Sequence, residues 1–239
     1  MSRTTVATIH LGALRHNLER IRELAAPAKV MAVVKADAYG HGLERVARAL
    51  DGAADAFAVA SLGDGLRLRA AGHRQRIVVL SGPDQAGDIA EMQRLGLDAA
   101  IHHESQLHWL SEASPTRGRL RVWLKVDSGM HRLGFAPERA AAVHAQLTTM
   151  TGIDPEIGLM THFAESEVFD GERTREQVRR FQPHLEPTGD FLLLLPFALV
   201  NAGIAGQAPR AKFTFGHDGS HPLDARSICG FPILAVDRI

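Results

Sequence analysis

The fold predicted by the sequence is α/β, a TIM-type (β/α)8 barrel whose carboxyl-terminal end need not be complete. Three observations predict it. Short apolar runs alternate with stretches in which leucine, isoleucine and valine recur at helical spacing, and that alternation argues for a parallel sheet with crossover helices. The number of such units favours a barrel over an open sheet. A length of 239 residues suits one barrel-sized domain with a substantial core, which needs no disulfide or metal to hold it.

Taken in order, Thr4 to Ile9 alternates as a short strand does. Leu11, Leu14, Leu18, Ile21 and Leu24 then recur at helical spacing before Pro27. The apolar run Val30-Met31-Ala32-Val33-Val34 reads as a buried strand over roughly residues 29 to 35, and Leu43, Val46, Ala47 and Leu50 mark the next helix. The pattern repeats as strand 56–60, helix 62–71, strand 77–80, helix 85–95, strand 98–101, helix 104–111 and a strand over 120–126. No fixed-period repeat or low-complexity linker interrupts it before residue 187. From about residue 190 the alternation is lost, so the chain divides into a barrel over 1–189 and a divergent tail over 190–239.

Charge and composition narrow the function classes. Lysine plus arginine equals aspartate plus glutamate, which gives no electrostatic reason to expect nucleic acid or an anionic membrane as partner. Cys229 is the only cysteine, so no intrachain disulfide forms, and a reducing compartment is consistent with that. Nothing at the start reads as a secretory signal. The longest apolar stretch, Phe191 to Val200, contains Pro196 and is too short for a bilayer span. The expectation is a cytoplasmic protein.

Three strand ends carry candidate chemistry. Lys35 follows the run ending at Val34 and precedes Tyr39 and the glycines Gly40 and Gly42. At the carboxyl end of a barrel strand, a partly desolvated lysine is a nucleophilic amine able to form a Schiff base with a carbonyl compound. A solvated strand end is the alternative. In Lys125-Val126-Asp127-Ser128-Gly129-Met130-His131-Arg132, a strand feeds a turn presenting Arg132, whose planar fork suits a carboxylate or phenolate. A loop ion pair would need the same residues. His162 closes a third apolar run, where it serves as a catalyst or as a hydrogen-bonded structural residue. The neighbouring pair His102-His103 lacks the spacing of a helical metal site, and Gly63-Asp64-Gly65 is too short for a phosphate loop. No metal is expected. His10, His16 and His73 fall at positions read as surface, whereas Trp109 and Trp123 are read as core or interface residues.

Together, the runs VVKADAYGHG, KVDSGMHRLGF and MTHFAESE resemble, in order and spacing, the amino-terminal barrel of the alanine racemases, which use pyridoxal 5′-phosphate. The opening from Ile9 to Leu18 fits as well, and the resemblance runs from about residue 4 to about 188. It implies that Lys35 is the Schiff-base lysine and one of two acid/base groups. It further implies that Tyr39 holds the cofactor phosphate, that Arg132 contacts the cofactor's phenolic oxygen and orients the substrate carboxylate, and that His162 supports the polar network. In many members the lysine matching Lys125 is carbamylated. Alanine as substrate and a homodimer with shared sites are also implied.

The sequence departs from the family beyond that stretch. Asn201 precedes Ala202 where the family has a phosphate-binding serine, and the segment Phe213 to Gly219 stands where an arginine precedes a proline-glycine step. Arg210 precedes Ala211 and is not assigned that role. No carboxyl-terminal β domain, the source of the tyrosine on the opposite substrate face, is recognisable, and Tyr39 is the only tyrosine. A truncation or frame shift would account for the tail. The motifs therefore favour an alanine racemase, and the length favours a single-domain pyridoxal-phosphate protein of cofactor homeostasis without turnover.

Overall fold

A computed structural model describes residues 8–26, 28–114, 118–165, 168 and 171–184, with strands 191–194, 212–214, 222–224 and 233–237 described by backbone alone. Its sheet is built from β1 (Lys29–Val33), β2 (Ala56–Val59), β3 (Arg76–Val79), β4 (Asp98–Ile101), β5 (Val122–Lys125), β6 (Gly158–His162) and β7 (Phe191–Leu194), each parallel to the next. The strand β10 (Ile233–Asp237) pairs antiparallel with both β7 and β1 and closes the barrel. A separate ribbon joins β8 (Lys212–Thr214) to β9 (Pro222–Asp224). The TIM-type expectation is met through the parallel strands. Where an eighth parallel strand would close the sheet, an antiparallel one stands.

Helix Leu11–Ala25 precedes β1, and helices Leu43–Leu50, Leu62–Ala70, Ala86–Leu95, Glu104–Ser111, Pro137–Thr148 and Glu172–Phe181 separate the parallel strands. Local sequence sets their ends. The Ser61 hydroxyl accepts the Asp64 amide at 3.3 Å, Pro137 opens its helix at a position where the missing N–H costs nothing, and Gly96 closes Ala86–Leu95 in the left-handed conformation. Leu14, Leu18 and Ile21 share one face of the first helix and are buried against the barrel wall with Val46, Leu50 and Val30. That is the outer of two apolar layers.

The inner layer follows from period-2 alternation. Met31 and Val33, Ala56 and Ala58, Val78, Ala100, Trp123 and Met160 point inward and pack together. Alanines on β2 and β4 leave the room that the Trp123 indole fills. Its N–H donates to the Asp98 carboxylate at 3.0 Å, the Arg76 guanidinium lies 5.0 Å over its ring and also donates to Asp98, and the floor of the barrel is thereby sealed by a satisfied polar group. Burial pushes the Asp98 carboxyl up despite the Arg76 charge. Gly158 faces the same indole, and a Cβ there would sit 2.5 Å from the ring. Gly158→Ala is therefore expected to cost roughly 1–3 kcal/mol by overpacking; a chemical-denaturation midpoint that does not move would contradict it.

Two expectations change. His73 is buried, 4% exposed, with its ring edge-on to Phe57 at 5.7 Å. It lies on the turn after Leu62–Ala70, between Gly72 and Arg74, which makes the position look exposed from sequence. Residues 4–7 of the first expected strand lie outside the described residues, and residues 8–10 are not strand.

Candidate active site

Because β1, β5 and β6 are parallel, their carboxyl ends share one rim, and the inward alternation continues to that rim. Trp123 leads to Lys125 on β5, Met160 leads to His162 on β6, and Val33 leads to Lys35 just past β1 while Val34 packs outward. Lys125 is 5% exposed. Lys35, Tyr39 and His162 are half-buried, and Arg132 is exposed on the loop after β5.

The segment after Lys35 is a left-handed turn. Ala36, Asp37, Ala38 and Tyr39 have φ of 52°, 53°, 51° and 55°, a conformation costing about 1–2 kcal/mol per non-glycine residue. Several hydrogen bonds hold it. The Ala38 amide donates to Val34 C=O at 2.9 Å, the Gly40 amide to Ala36 C=O at 3.0 Å, and the Gly42 amide to Asp37 C=O at 2.8 Å. The Asp37 carboxylate accepts the Leu43 amide at 2.9 Å and a guanidinium N–H of Arg67 at 3.2 Å, tying the turn to two helices. His41 Nδ1 lies 2.9 Å from the Ala38 carbonyl, a contact that a protonated Nδ1 makes as donor. Strain concentrated this way marks functional segments, and it brings Tyr39 back against the inner apolar layer beside the lysine's strand.

The Arg132 loop is closed at its base. Phe135 donates its amide to Lys125 C=O, Asp127 donates its own to Phe135 C=O, and the Asp127 carboxylate accepts the amides of Gly129 at 3.1 Å and His131 at 2.9 Å. Gly134, at φ 132°, approaches so closely that a Cβ would lie 2.6 Å from the Asp127 nitrogen. The loop that carries Arg132 is thus fixed to the end of β5.

These side chains share an electrostatic field. Burial lowers the Lys35 amine below the usual lysine range, and the Arg132 charge lowers it further. Burial, then the Arg132 and Lys35 charges, pushes Lys125 down to about 8, against the opposing pull of Asp127. The same effects push His162 down to about 3, with the Lys125, Arg132 and Lys35 charges adding to burial, so its imidazole is neutral at ordinary pH. Burial raises the Tyr39 phenol to about 12. The mouth is therefore a cationic cup with deprotonatable amines, a setting for an anionic ligand bearing a carbonyl.

Two residues of this rim escape sequence reasoning. His102 extends the inward alternation of β4 beyond Ala100, its ring nitrogen 2.9 Å from Ser81 C=O, and the Lys125 charge acts on it. Counting in twos along β4 could have found it. Gln177 lies within ERTREQVRRF, where charges dominate and nothing marks one glutamine as inward. It is nonetheless 1% exposed, hydrogen-bonded to His162 C=O at 3.0 Å.

The alanine racemase N-terminal domain family matches residues 9–197. The chain belongs to the alanine racemase family. An alanine racemase of Marinobacter nauticus is 45% identical over 193 residues, 80% of this chain and 53% of that protein, and one of Halorhodospira halophila is 44% identical over 182 residues, 76% and 50%. The biosynthetic alanine racemase of Pseudomonas aeruginosa superposes with a TM-score of 0.73 at 38% identity, covering 77% of this chain and 51% of that one. A histidine racemase of Leuconostoc mesenteroides also superposes, with a TM-score of 0.68 at 28% identity, over 74% of this chain and 48% of that one. The chain spans about half the length of the curated alanine racemases it matches. Among the described residues no helix is long and apolar enough to cross a membrane.

Proposed function

We propose that the chain carries the cofactor half of an alanine racemase active site, with Lys35 as the covalent attachment point and one acid/base. The observation that supports this best is the convergence of Lys35, Lys125, Arg132 and His162 on one barrel rim. The donor set fits pyridoxal 5′-phosphate, a phosphorylated aldehyde with a phenolic oxygen. Lys35 would hold its aldehyde carbon, Tyr39 its phosphate and Arg132 its phenolic oxygen. When bound, that group supplies a conjugated ring that spreads the charge left on an α-carbon after proton loss.

The protein's own residues do the rest. The Lys35 amine, when free, would have a lowered pKa that leaves more of it neutral and able to take the α-proton. Arg132 pairs with the substrate carboxylate. His162, held neutral, offers hydrogen bonds to the network without adding a further charge. Inversion also needs a group on the opposite face, which by family resemblance is a partner subunit's tyrosine in a homodimer. The unit we assign to this chemistry is residues 1–189, with 190–239 a divergent tail. A binding role without turnover is less well supported, because the relatives are named racemases.

Exchange of the alanine α-hydrogen needs only the lysine face. With pyridoxal 5′-phosphate added and each alanine enantiomer offered separately, the protein is expected to exchange the α-hydrogen of the enantiomer that presents it to Lys35 for deuterium in heavy water, followed by proton NMR. D-alanine formation, read by chiral chromatography, depends on the opposite-face group as well. Bound cofactor without any exchange would overturn the proposal.

A further inference from the structure

Gln177 sits on the helix Glu172–Phe181, on the face it shares with the buried Thr174 and Phe181. A leucine would satisfy that packing. An amide buried to 1% exposure is favourable only if its hydrogens and oxygen find partners, and every one of them does. Its oxygen accepts the Ala164 amide at 2.9 Å, and its nitrogen donates to His162 C=O at 3.0 Å and, in a longer contact of 3.4 Å, to the Ser128 hydroxyl.

The hydroxyl protons then follow by elimination. Thr161 Oγ1 is 2.9 Å from Val126 C=O, which can only accept, so threonine donates there. Ser128 Oγ, 2.7 Å from Thr161 Oγ1, must give its own proton to threonine and use a lone pair for Gln177. The result is one directional chain, from Gln177 through Ser128 and Thr161 to the Val126 carbonyl. Chains of this kind are cooperative, and each link is oriented by the next. Thr161 and Ser128 are both buried, at 0% and 1% exposure, so water does not compete.

The chain's ends decide its meaning. Val126 and Ser128 flank Asp127 at the root of the Arg132 loop, next to Lys125, and His162 is the last residue of β6. One side chain on an outer helix therefore spans the two strand ends that carry three of the mouth's charged or titratable groups. We propose that Gln177 is a positioning residue which locks the Arg132 loop to the His162 strand end and so fixes the spacing of the cationic groups in the mouth. The inference rests on reading this mouth as the active site, but its test uses neither cofactor nor alanine.

The amine of Lys125 reports that spacing, because Arg132, Lys35 and Asp127 act on it together with burial. The lysines are Lys29, Lys35, Lys125 and Lys212, so competitive acylation with acetic anhydride across pH, read by peptide mass, resolves each one. In the full-length protein, Gln177→Leu is expected to move the Lys125 midpoint upward by about one unit, as Arg132 recedes and water enters. Thr161→Val, which cuts the chain at its other end, should move it in the same direction, and the double variant should shift it by less than the sum. Circular dichroism at the labelling temperature establishes which variants are folded. An anchor serving only the helix would lower the melting temperature and leave Lys125 where it is. An unchanged Lys125 midpoint in either folded variant overturns the proposal, whatever the result of the α-hydrogen exchange.

Discussion

Lys35→Ala is expected to remove the borohydride-stable cofactor adduct from the protein and to lower α-hydrogen exchange by roughly 10³-fold or more, since in the role proposed for Lys35 attachment and proton transfer would depend on one amine. Adduct formation favours Lys35 over a surface lysine for a physical reason. Reduction traps the amine that adds to the aldehyde, and addition requires the neutral form, which burial and the Arg132 charge make more abundant at Lys35. Lys125 is the competitor to exclude. It is also depressed, to about 8, but it is 5% exposed and hemmed in at the base of the Arg132 loop. Mass mapping of the reduced protein separates the two directly. An adduct that persists on Lys125 in Lys35→Ala, with exchange retained, would reassign the site; an adduct confined to Lys35 in the parent chain leaves the assignment standing.

The rim itself was legible because strand periodicity and strand ends are local properties. Lys35, Lys125 and His162 each close an apolar run, and parallel connectivity brings such ends to one side of a barrel. The left-handed turn was only half legible. Gly40 and Gly42 announce a turn and Asp37 tolerates positive φ, yet Ala36, Ala38 and Tyr39 have no sequence preference for it; the hydrogen bonds that the Asp37 carboxylate accepts from Leu43 and Arg67 help impose it, and those partners lie up to 30 residues away. Gln177 and the Arg76–Asp98–Trp123 floor were illegible for the same reason. A buried polar residue is written in the same letters as a solvated one, and only tertiary contacts distinguish them. The antiparallel closure by β10 falls where the alternation of the chain has already ended, so periodicity had nothing to say about it.

Lys125 offers the second large effect, because its charge is unfavourable where it stands. Its folded-state amine is near 8 against an ordinary 10.5, so between those values the unfolded chain holds a proton that the folded chain does not. Stability from this group therefore rises with pH from about 8 to 10.5 and is lowest below 8. At pH 7 the full penalty applies, on the order of 3 kcal/mol for a shift of this size. Lys125→Met keeps the volume and removes the charge, and in carbonate-free buffer at pH 7 it is expected to stabilise the fold by up to about that amount. The gain should shrink as pH rises toward 10.5. An equal gain at both ends of that range would show that packing, not charge, governs the site.

The same lowered pKa makes this amine reactive toward carbon dioxide. A neutral Lys125 adds to it, forming a nitrogen–carbon bond and releasing a proton, and the resulting carbamate is an anion beside Arg132 and Lys35. One reaction would convert a repulsive cluster into a paired one, as the family resemblance implies. Bicarbonate near pH 8 is then expected to raise the wild-type melting temperature and to give a protein-bound carbon-13 signal from labelled bicarbonate, with neither change in Lys125→Met. If wild type and Lys125→Met respond alike, a carbamate on Lys125 is not what compensates the cluster. Carbamylation would also act on Lys35. Replacing a cation near Lys35 by an anion raises its amine pKa, so bicarbonate should move the acylation midpoint of Lys35 upward in the wild type and leave it fixed in Lys125→Met.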